Sequence, residues 1–212
     1  MVDHDEEQRY SAVAGDGQIE RTRERLIDAT LEILGRKGYE DARVEDICQA
    51  AGSARATFYR HFSGKDDVFD VLLDRLVEEL DALVTRLQAV TPDSEGYDTL
   101  RQLVADMMGA AERWAPVVEA LDAPRRIPDE SRSRSVAALI RISTVLGRAI
   151  SDGGGGAGDP WMEGLALIGL FEGFGHQVRT WDVSLDRAAM LDAVALVSLR
   201  MLHPALDVGA IA

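Results

Sequence analysis

Residues 44–65, VEDICQAAGSARATFYRHFSGK, predict two short helices that meet at a glycine. In the first half, apolar side chains recur at the spacing of one helix face, at Val44, Ile47, Cys48 and Ala51. Gly52 follows, and glycine can end a helix with a positive φ at little steric cost. This stretch therefore restricts the chain to a helix, a tight turn and a second helix.

The second of these helices has two distinct faces. Phe58 and Phe62 are four residues apart and share an inward face, which turns a second set outward: Arg55, Ala56, Tyr59 and Arg60. A helix-turn-helix places such a helix in the major groove of DNA, where Arg can read base edges, hydroxyls can contact phosphates and a small residue allows close approach. A helical hairpin that only builds a core, with a solvated Arg/Tyr face, fits the same spacing.

The same segment resembles the DNA-binding segment of the tetracycline-repressor (TetR) family of bacterial regulators. Gly52 and four residues after it fall in register with the family pattern: Thr57, Tyr59, Phe62 and Lys65. Clear similarity covers roughly residues 21–71. The resemblance implies an all-α fold of about nine helices, with an N-terminal three-helix helix-turn-helix head and a C-terminal helical bundle for ligand binding and dimerisation.

The resemblance also indicates how the segment would contact DNA. We expect Arg55 and Arg60 to read bases, with Ala56 and Thr57 beside them. The side chains expected at phosphates are Arg43, Tyr59, His61 and Lys65. Lys65 begins the next helix, where a free helix end and a cation can hold one phosphate together.

Three residues depart from the family pattern. Arg43 stands where the family usually has a hydroxyl residue, and it can contact a phosphate but cannot cap a helix through an oxygen. Ser53 and Ala54 stand where an apolar residue and then Ser are usual, so the cap of the second helix is expected to move to Ser53. The next helix is expected to begin with a capping box over residues 63–66.

Composition is that of a globular protein, with 212 residues of which 46% are apolar and 28% are charged. Cys48 is the one cysteine, which excludes an internal disulfide or a multi-cysteine metal site. It is expected in the core. With no signal-like N-terminus or long apolar run, we expect a cytoplasmic protein.

The net charge of −14 is unevenly distributed. Residues 1–19 carry −4 and residues 66–212 carry −11, whereas residues 20–65 carry +1. Because affinity for DNA depends on basic groups at phosphates, the helix-turn-helix segment is the one part of the chain whose charge permits this partner.

Helical periodicity predicts three regions: a disordered acidic tail at 1–19, the DNA-binding domain at 20–66 and a regulatory and dimerisation domain at 67–212. Outside the helix-turn-helix, helices are predicted at 20–37, 64–89, 98–113, from Pro116 to before Pro124, and at 130–151, 161–181 and 185–203. Gly38 is expected to end the first of these, and Ser184 to cap the last.

The last two helices predict a homodimer. The helix at 185–203 is apolar over most of its circumference, which requires burial on two sides. Four glycines in the helix at 161–181 each cost about 1 kcal/mol relative to Ala, which is tolerated where backbones approach closely or where a ligand needs room. A four-helix bundle between two copies would use Gly169, Gly173, Met190, Val194, Val197 and Met201. A fully enclosed core helix is the alternative.

No catalytic constellation emerges, so we expect neither an enzyme nor a cofactor or metal site. The four histidines, at positions 4, 61, 176 and 203, lack metal-ligand spacing. A pocket between bundle helices for a small, mainly apolar effector is expected from Met107, Met108, Trp114, Phe171, Phe174 and His176. Ordinary core is the alternative role of these residues.

These observations together predict a dimeric, sequence-specific DNA-binding regulator. We expect a repressor that binds a palindromic operator and is released by its effector. The alternative is a helical protein–protein interaction module that retains the fold without specific DNA binding.

Overall fold

The computed structural model describes residues 4–122, 127–156, 158–180 and 186–206, except the side chains of 4–16, 171, 172 and 174–180. These ranges form eight helices and contain no strand, so the predicted all-α class is confirmed. The helices are α1 His4–Asp41, α2 Val44–Ala50, α3 Arg55–His61, α4 Lys65–Leu87, α5 Ser94–Asp122, α6 Asp129–Asp152, α7 Pro160–Thr180 and α8 Arg187–Leu202. None of the described helices is both long and apolar enough to cross a membrane.

Two compact units divide the chain. Unit 1 comprises Met1–Asp74 and Ala115–Ser131, and unit 2 comprises Arg75–Trp114 and Arg132–Ala212. Unit 1 thus contains the predicted DNA-binding domain together with the start of α4, the C-terminal end of α5 and the first residues of α6. Its core is formed by fully buried side chains from five helices, among them Leu26, Ile27, Ile47, Phe58, Phe69 and Val117.

The first helix is longer than its sequence suggested. It begins at His4, although we expected a tail without regular structure up to residue 19. Acidic residues 5–7 lie in its first turn, where negative charge favours a helix N-terminus. Gly38 has φ 73° and leaves helical geometry, as predicted. Residues 1–3 lie outside the described ranges.

One helix, α5, replaces the two predicted around Pro116 and reduces the expected nine helices to eight. It begins at Ser94, because the Asp93 carboxylate accepts the Gly96 backbone N–H at 2.8 Å and caps it there. It also continues through Pro116, although proline removes a helical hydrogen bond. A Cβ added at Gly35 of α1 would lie 3.3 Å from the Pro116 ring, so the ring packs closely on α1.

In unit 2, α6 and α7 cross with their backbones in direct contact. A Cβ built on Gly164 would lie 1.7 Å from the Ser143 backbone oxygen, and one on Gly147 would lie 1.6 Å from that of Pro160. No side chain fits at either position. Close backbone approach, predicted for the α7 glycines, therefore holds at Gly164.

The last helix, α8, is capped by Asp186, whose carboxylate accepts the Ala188 N–H at 2.9 Å. The predicted cap, Ser184, lies outside the described residues. One face of α8 is buried in unit 2, whereas Val197 on another face is 44% exposed. The alternative interpretation, that this last helix is fully enclosed in the core, is therefore wrong for the chain taken alone.

Candidate DNA-binding interface

The turn between α2 and α3 ends α2 with backbone hydrogen bonds to its last carbonyl groups. Gly52 has φ 59°, its N–H binds the Gln49 oxygen at 3.2 Å, and the Ser53 N–H binds the Cys48 oxygen at 2.9 Å. These two bonds make a Schellman motif, which requires a left-handed residue at the glycine position. The orientation of α3 relative to α2 is therefore set by backbone hydrogen bonds.

The cap of α3 is Ala54, which has φ −74° and ψ 147°. The expectation of a cap at Ser53 is wrong. Ser53 still belongs to the end of α2, as the second residue past its C-cap, and α3 begins at Arg55, one residue later than a cap at Ser53 would require. The methyl group of Ala54 has no oxygen to accept the free N–H groups of the first turn.

The inward face of α3 is the predicted one. Phe58 is fully buried and Phe62 nearly so, with their ring centres 5.7 Å apart. From α1, the Arg23 guanidinium lies 5.5 Å from the centre of the Phe62 ring. Hydrophobic packing thus fixes which face of α3 remains outside.

The outward face carries Arg55, Ala56, Tyr59 and Arg60, all of which are exposed, while Thr57 and His61 are half-buried. The Arg55 guanidinium donates to the Tyr59 hydroxyl at 3.2 Å and lies 5.4 Å from the centre of its ring. Its other terminal nitrogen pairs with the carboxylate of Glu45 on α2. Six of the eight residues expected at DNA therefore lie on one short helix.

Sequence reasoning missed Glu45. The acid lies ten residues before Arg55, and the spacing within one helix does not connect them. Only the geometry of the turn could have indicated this pair, because a helix-turn-helix brings the start of α2 near the start of α3.

The remaining two expected contacts flank the helix-turn-helix. Arg43 is exposed at the N-cap of α2, and its backbone N–H donates to Asp46 at 3.2 Å. A hydrogen bond from Lys37, 2.7 Å from the same carboxylate, is the main cause that lowers the pKa of Asp46. The start of α2 is thus closed by an acid, which leaves the Arg43 side chain at the surface.

Lys65 is the other flanking residue and lies half-buried at the start of α4. Its ammonium donates to the Tyr39 backbone oxygen at 2.5 Å. The capping box expected with Asp66 is wrong, since the N–H of Ser63 binds Asp67 at 2.8 Å. Asp66 instead accepts the Tyr39 hydroxyl at 2.5 Å, and α4 begins one residue later than that box required.

Three of the six side chains expected to line an effector pocket lie in the described part of the structure, so the pocket stays a prediction. Trp114 is buried with its ring N–H bound to Glu79 at 2.8 Å, and Met107 and Met108 are half-buried. The side chains of Phe171, Phe174 and His176 lie outside the described part. Two cavities of the described part are lined by residues of α1 and by residues at the ends of α4, α6 and α8. No group of three or more His, Cys, Asp or Glu in the described ranges could hold a metal ion.

The residues expected at a dimer interface divide into two sets. Gly169, Gly173 and Val197 are exposed, and Met201 is half-buried. In contrast, Met190 and Val194 are buried within unit 2, because α8 turns them toward its own chain. Helical periodicity alone could not tell these faces apart.

An all-helical chain with a closed helix-turn-helix, a buried aromatic face and an outward Arg/Tyr face defines a DNA-binding regulator. Comparison with known proteins supports this class. The family model "Bacterial regulatory proteins, tetR family" matches residues 26–72. The transcriptional repressor KstR of Mycolicibacterium smegmatis is 30% identical over 144 residues, which are 68% of this chain and 69% of KstR. The regulator YvdT of Bacillus subtilis is 28% identical over 96 residues, 45% of this chain and 48% of its own length.

Solved structures show the same fold. The fatty acid degradation regulator FadR of Bacillus halodurans has a TM-score of 0.65 at 21% identity, covering 84% of this chain and 94% of that one. FadR of Bacillus subtilis, solved with stearoyl-CoA, has a TM-score of 0.60 at 18% identity, covering 84% and 98%. The chain belongs to the tetR family of bacterial regulatory proteins and is a DNA-binding transcriptional regulator.

Proposed function

We propose that the protein is a homodimeric repressor that recognises a palindromic operator through α3 and is released by an effector. The observation that carries the DNA contact is the division of α3, with Phe58 and Phe62 inside and Arg55, Tyr59 and Arg60 outside. Arg55 and Arg60 would read base edges, because guanidinium groups donate two parallel hydrogen bonds to guanine. Ala56 and Thr57 lie between them, where small side chains allow close approach.

Phosphate contacts would come from both sides of α3. The flanking Arg43 and Lys65 supply cations, and Tyr59 and His61 supply polar groups on α3 itself. Both cations lie within the proposed domain 20–66 and are already part of its near-neutral charge. Their contacts with phosphates would make affinity depend on salt.

The dimer would form through the exposed faces of α7 and α8. Small and apolar residues lie exposed at helical spacing on both helices, at Met162, Ala166, Gly169, Leu170 and Gly173, and at Ala189, Ala193 and Val197. No described atom lies within 4 Å of a Cβ built on Gly169 or Gly173. Such small-residue faces suit a four-helix bundle between two copies. We leave Met190 and Val194 out of this interface because they are buried in their own chain.

The effector would bind the proposed regulatory and dimerisation domain, residues 67–212, and would be small and mainly apolar. Bacillus subtilis FadR was solved in complex with stearoyl-CoA, whose acyl chain is apolar although its CoA part is charged, so a long-chain acyl group is a reasonable first probe. An effector can release DNA only if it binds more tightly to a conformation that cannot bind the operator than to the conformation that can. The name of KstR, a repressor, supports this direction of regulation.

Selection of binding sites from a random DNA pool with the full chain tests the proposal. We expect an enriched palindrome whose half-sites lie about one helical turn, or a multiple of it, apart. A pool without any enriched sequence would contradict the proposal and favour the helical interaction module. Addition of stearoyl-CoA, and separately of small apolar ligands, to the selected complex then tests release.

A further inference from the structure

Glu45 and Arg55 form an ion pair across the two helices of the helix-turn-helix. Glu45 lies in the first turn of α2 and Arg55 is the first residue of α3. Their side chains are 56% and 59% exposed, so the pair lies on the surface of unit 1. One guanidinium nitrogen binds Glu45 and the other donates to the Tyr59 hydroxyl at 3.2 Å. The planar guanidinium of Arg55 is therefore held from two sides.

Glu45 lies in the first turn of α2, where an acid favours the helix, but neither the stability of the ion pair nor helix capping explains why this acid is paired with Arg55. An ion pair exposed to this degree adds little to the free energy of folding, because water screens it. The N-terminus of α2 is already closed by Asp46, which accepts the Arg43 N–H at 3.2 Å. A further carboxylate beside the outward face of α3 would also repel DNA phosphates. The position of Glu45 thus has an electrostatic cost for binding DNA in general.

We propose that Glu45 determines specificity by positioning Arg55 for base readout and by keeping its charge away from phosphates. This inference rests on the proposed role of Arg55. A guanidinium paired with a carboxylate attracts phosphate weakly, which lowers affinity for DNA of any sequence. The same pairing orients the remaining N–H groups of Arg55, and a base with matching acceptors recovers the lost affinity. Discrimination then comes from weaker binding to wrong sites as much as from contacts to the right one.

Substitution of Glu45 in the full chain separates the two effects. Glu45→Gln should raise affinity for random-sequence DNA severalfold and reduce, by about tenfold, the preference for one base at the position that Arg55 reads. Glu45→Asp keeps the charge but shortens the side chain. It should lose the same base preference while its affinity for random DNA stays near that of the wild type. Glu32→Gln is the matched control, since it removes a carboxylate paired with Arg36 on α1 of the same unit; it should leave base preference unchanged.

The pairing is tested by combining Glu45→Gln with Arg55→Ala. If Glu45 acts through Arg55, the double variant should have the base preference of Arg55→Ala alone. A loss of preference that is the same with and without Arg55 overturns the inference. So does retention of full base preference in Glu45→Gln.

Failure of this inference differs from failure of the proposed function. If the wild-type protein selects no sequence, the proposed function is wrong, and the proposed role of Glu45 is then wrong as well. If Arg55→Ala loses a base preference that both Glu45 variants keep, only the role of Glu45 is overturned.

Discussion

The ammonium group of Lys65 lies 2.5 Å from the Tyr39 backbone oxygen and 4.3 Å from the centre of the Tyr39 ring. This contact joins the start of α4 to the end of α1. The Tyr39 hydroxyl donates to Asp66 at 2.5 Å, and burial, followed by this bond, raises the pKa of Tyr39 so that it remains a donor. An ammonium has three protons. The half-buried Lys65 thus has a fixed position and keeps protons for the proposed phosphate contact.

We expect Lys65→Ala to weaken binding to every DNA sequence by a similar factor and to reduce the slope of log affinity against log salt by about one. The physical reason is the loss of one phosphate contact without loss of any base contact. Titrations at several salt concentrations measure both quantities. Arg36→Ala removes one positive charge from α1 as the control. An altered base preference in Lys65→Ala would contradict a pure phosphate role.

Ala54→Ser should stabilise the protein by about 1 kcal/mol, because a hydroxyl at this N-cap can accept a free N–H of α3. Ser53→Ala is the matched control and should change the free energy of unfolding by less than about 0.5 kcal/mol. Urea unfolding of both variants measures the difference. A larger loss in Ser53→Ala than gain in Ala54→Ser would show that Ser53 is the cap after all.

Two glycines of α7 should respond to alanine in opposite ways. Gly164→Ala places a methyl group 1.7 Å from the Ser143 oxygen, so we expect a loss of stability of about 1–3 kcal/mol or more. Gly169→Ala meets open space within the described chain and should gain up to about 1 kcal/mol of helix propensity. Thermal unfolding compares the two.

The same Gly169→Ala protein also tests the proposed dimer. If α7 packs closely on a second copy, the added methyl group should weaken self-association although the protomer is no less stable. Sedimentation over a range of concentrations measures this. Unchanged association would place the interface away from Gly169.

The bond between Arg101 of α5 and Asp192 of α8 should make stability depend on pH. Its hydrogen bond is the main cause that lowers the pKa of Asp192 below its ordinary value. The pair therefore stabilises the folded protein above about pH 4, and this contribution is lost as the pH falls through the folded-state pKa. Asp192→Asn should flatten the acid side of a plot of Tm against pH, whereas Glu112→Gln, an exposed acid of α5, should not. Equal slopes in all three proteins would show that the pair contributes nothing.

Helix faces in the helix-turn-helix could be predicted from the sequence because they depend on local periodicity. Phe58 and Phe62 point inward, and Gly38 and Gly52 have positive φ. Each of these follows from residues within about one or two helical turns.

Features that depend on distant residues could not be predicted in this way. The passage of α5 through Pro116 accompanies its packing against Gly35 of α1, and the burial of Met190 depends on which neighbours α8 meets. The partner of Arg55 is Glu45, on the other side of a turn. By itself, the sequence determined the two short helices of the helix-turn-helix, the turn between them and the outward face of α3. Only the tertiary structure decided which groups restrain that face, such as Glu45 at Arg55, because these contacts join residues that are distant in the sequence.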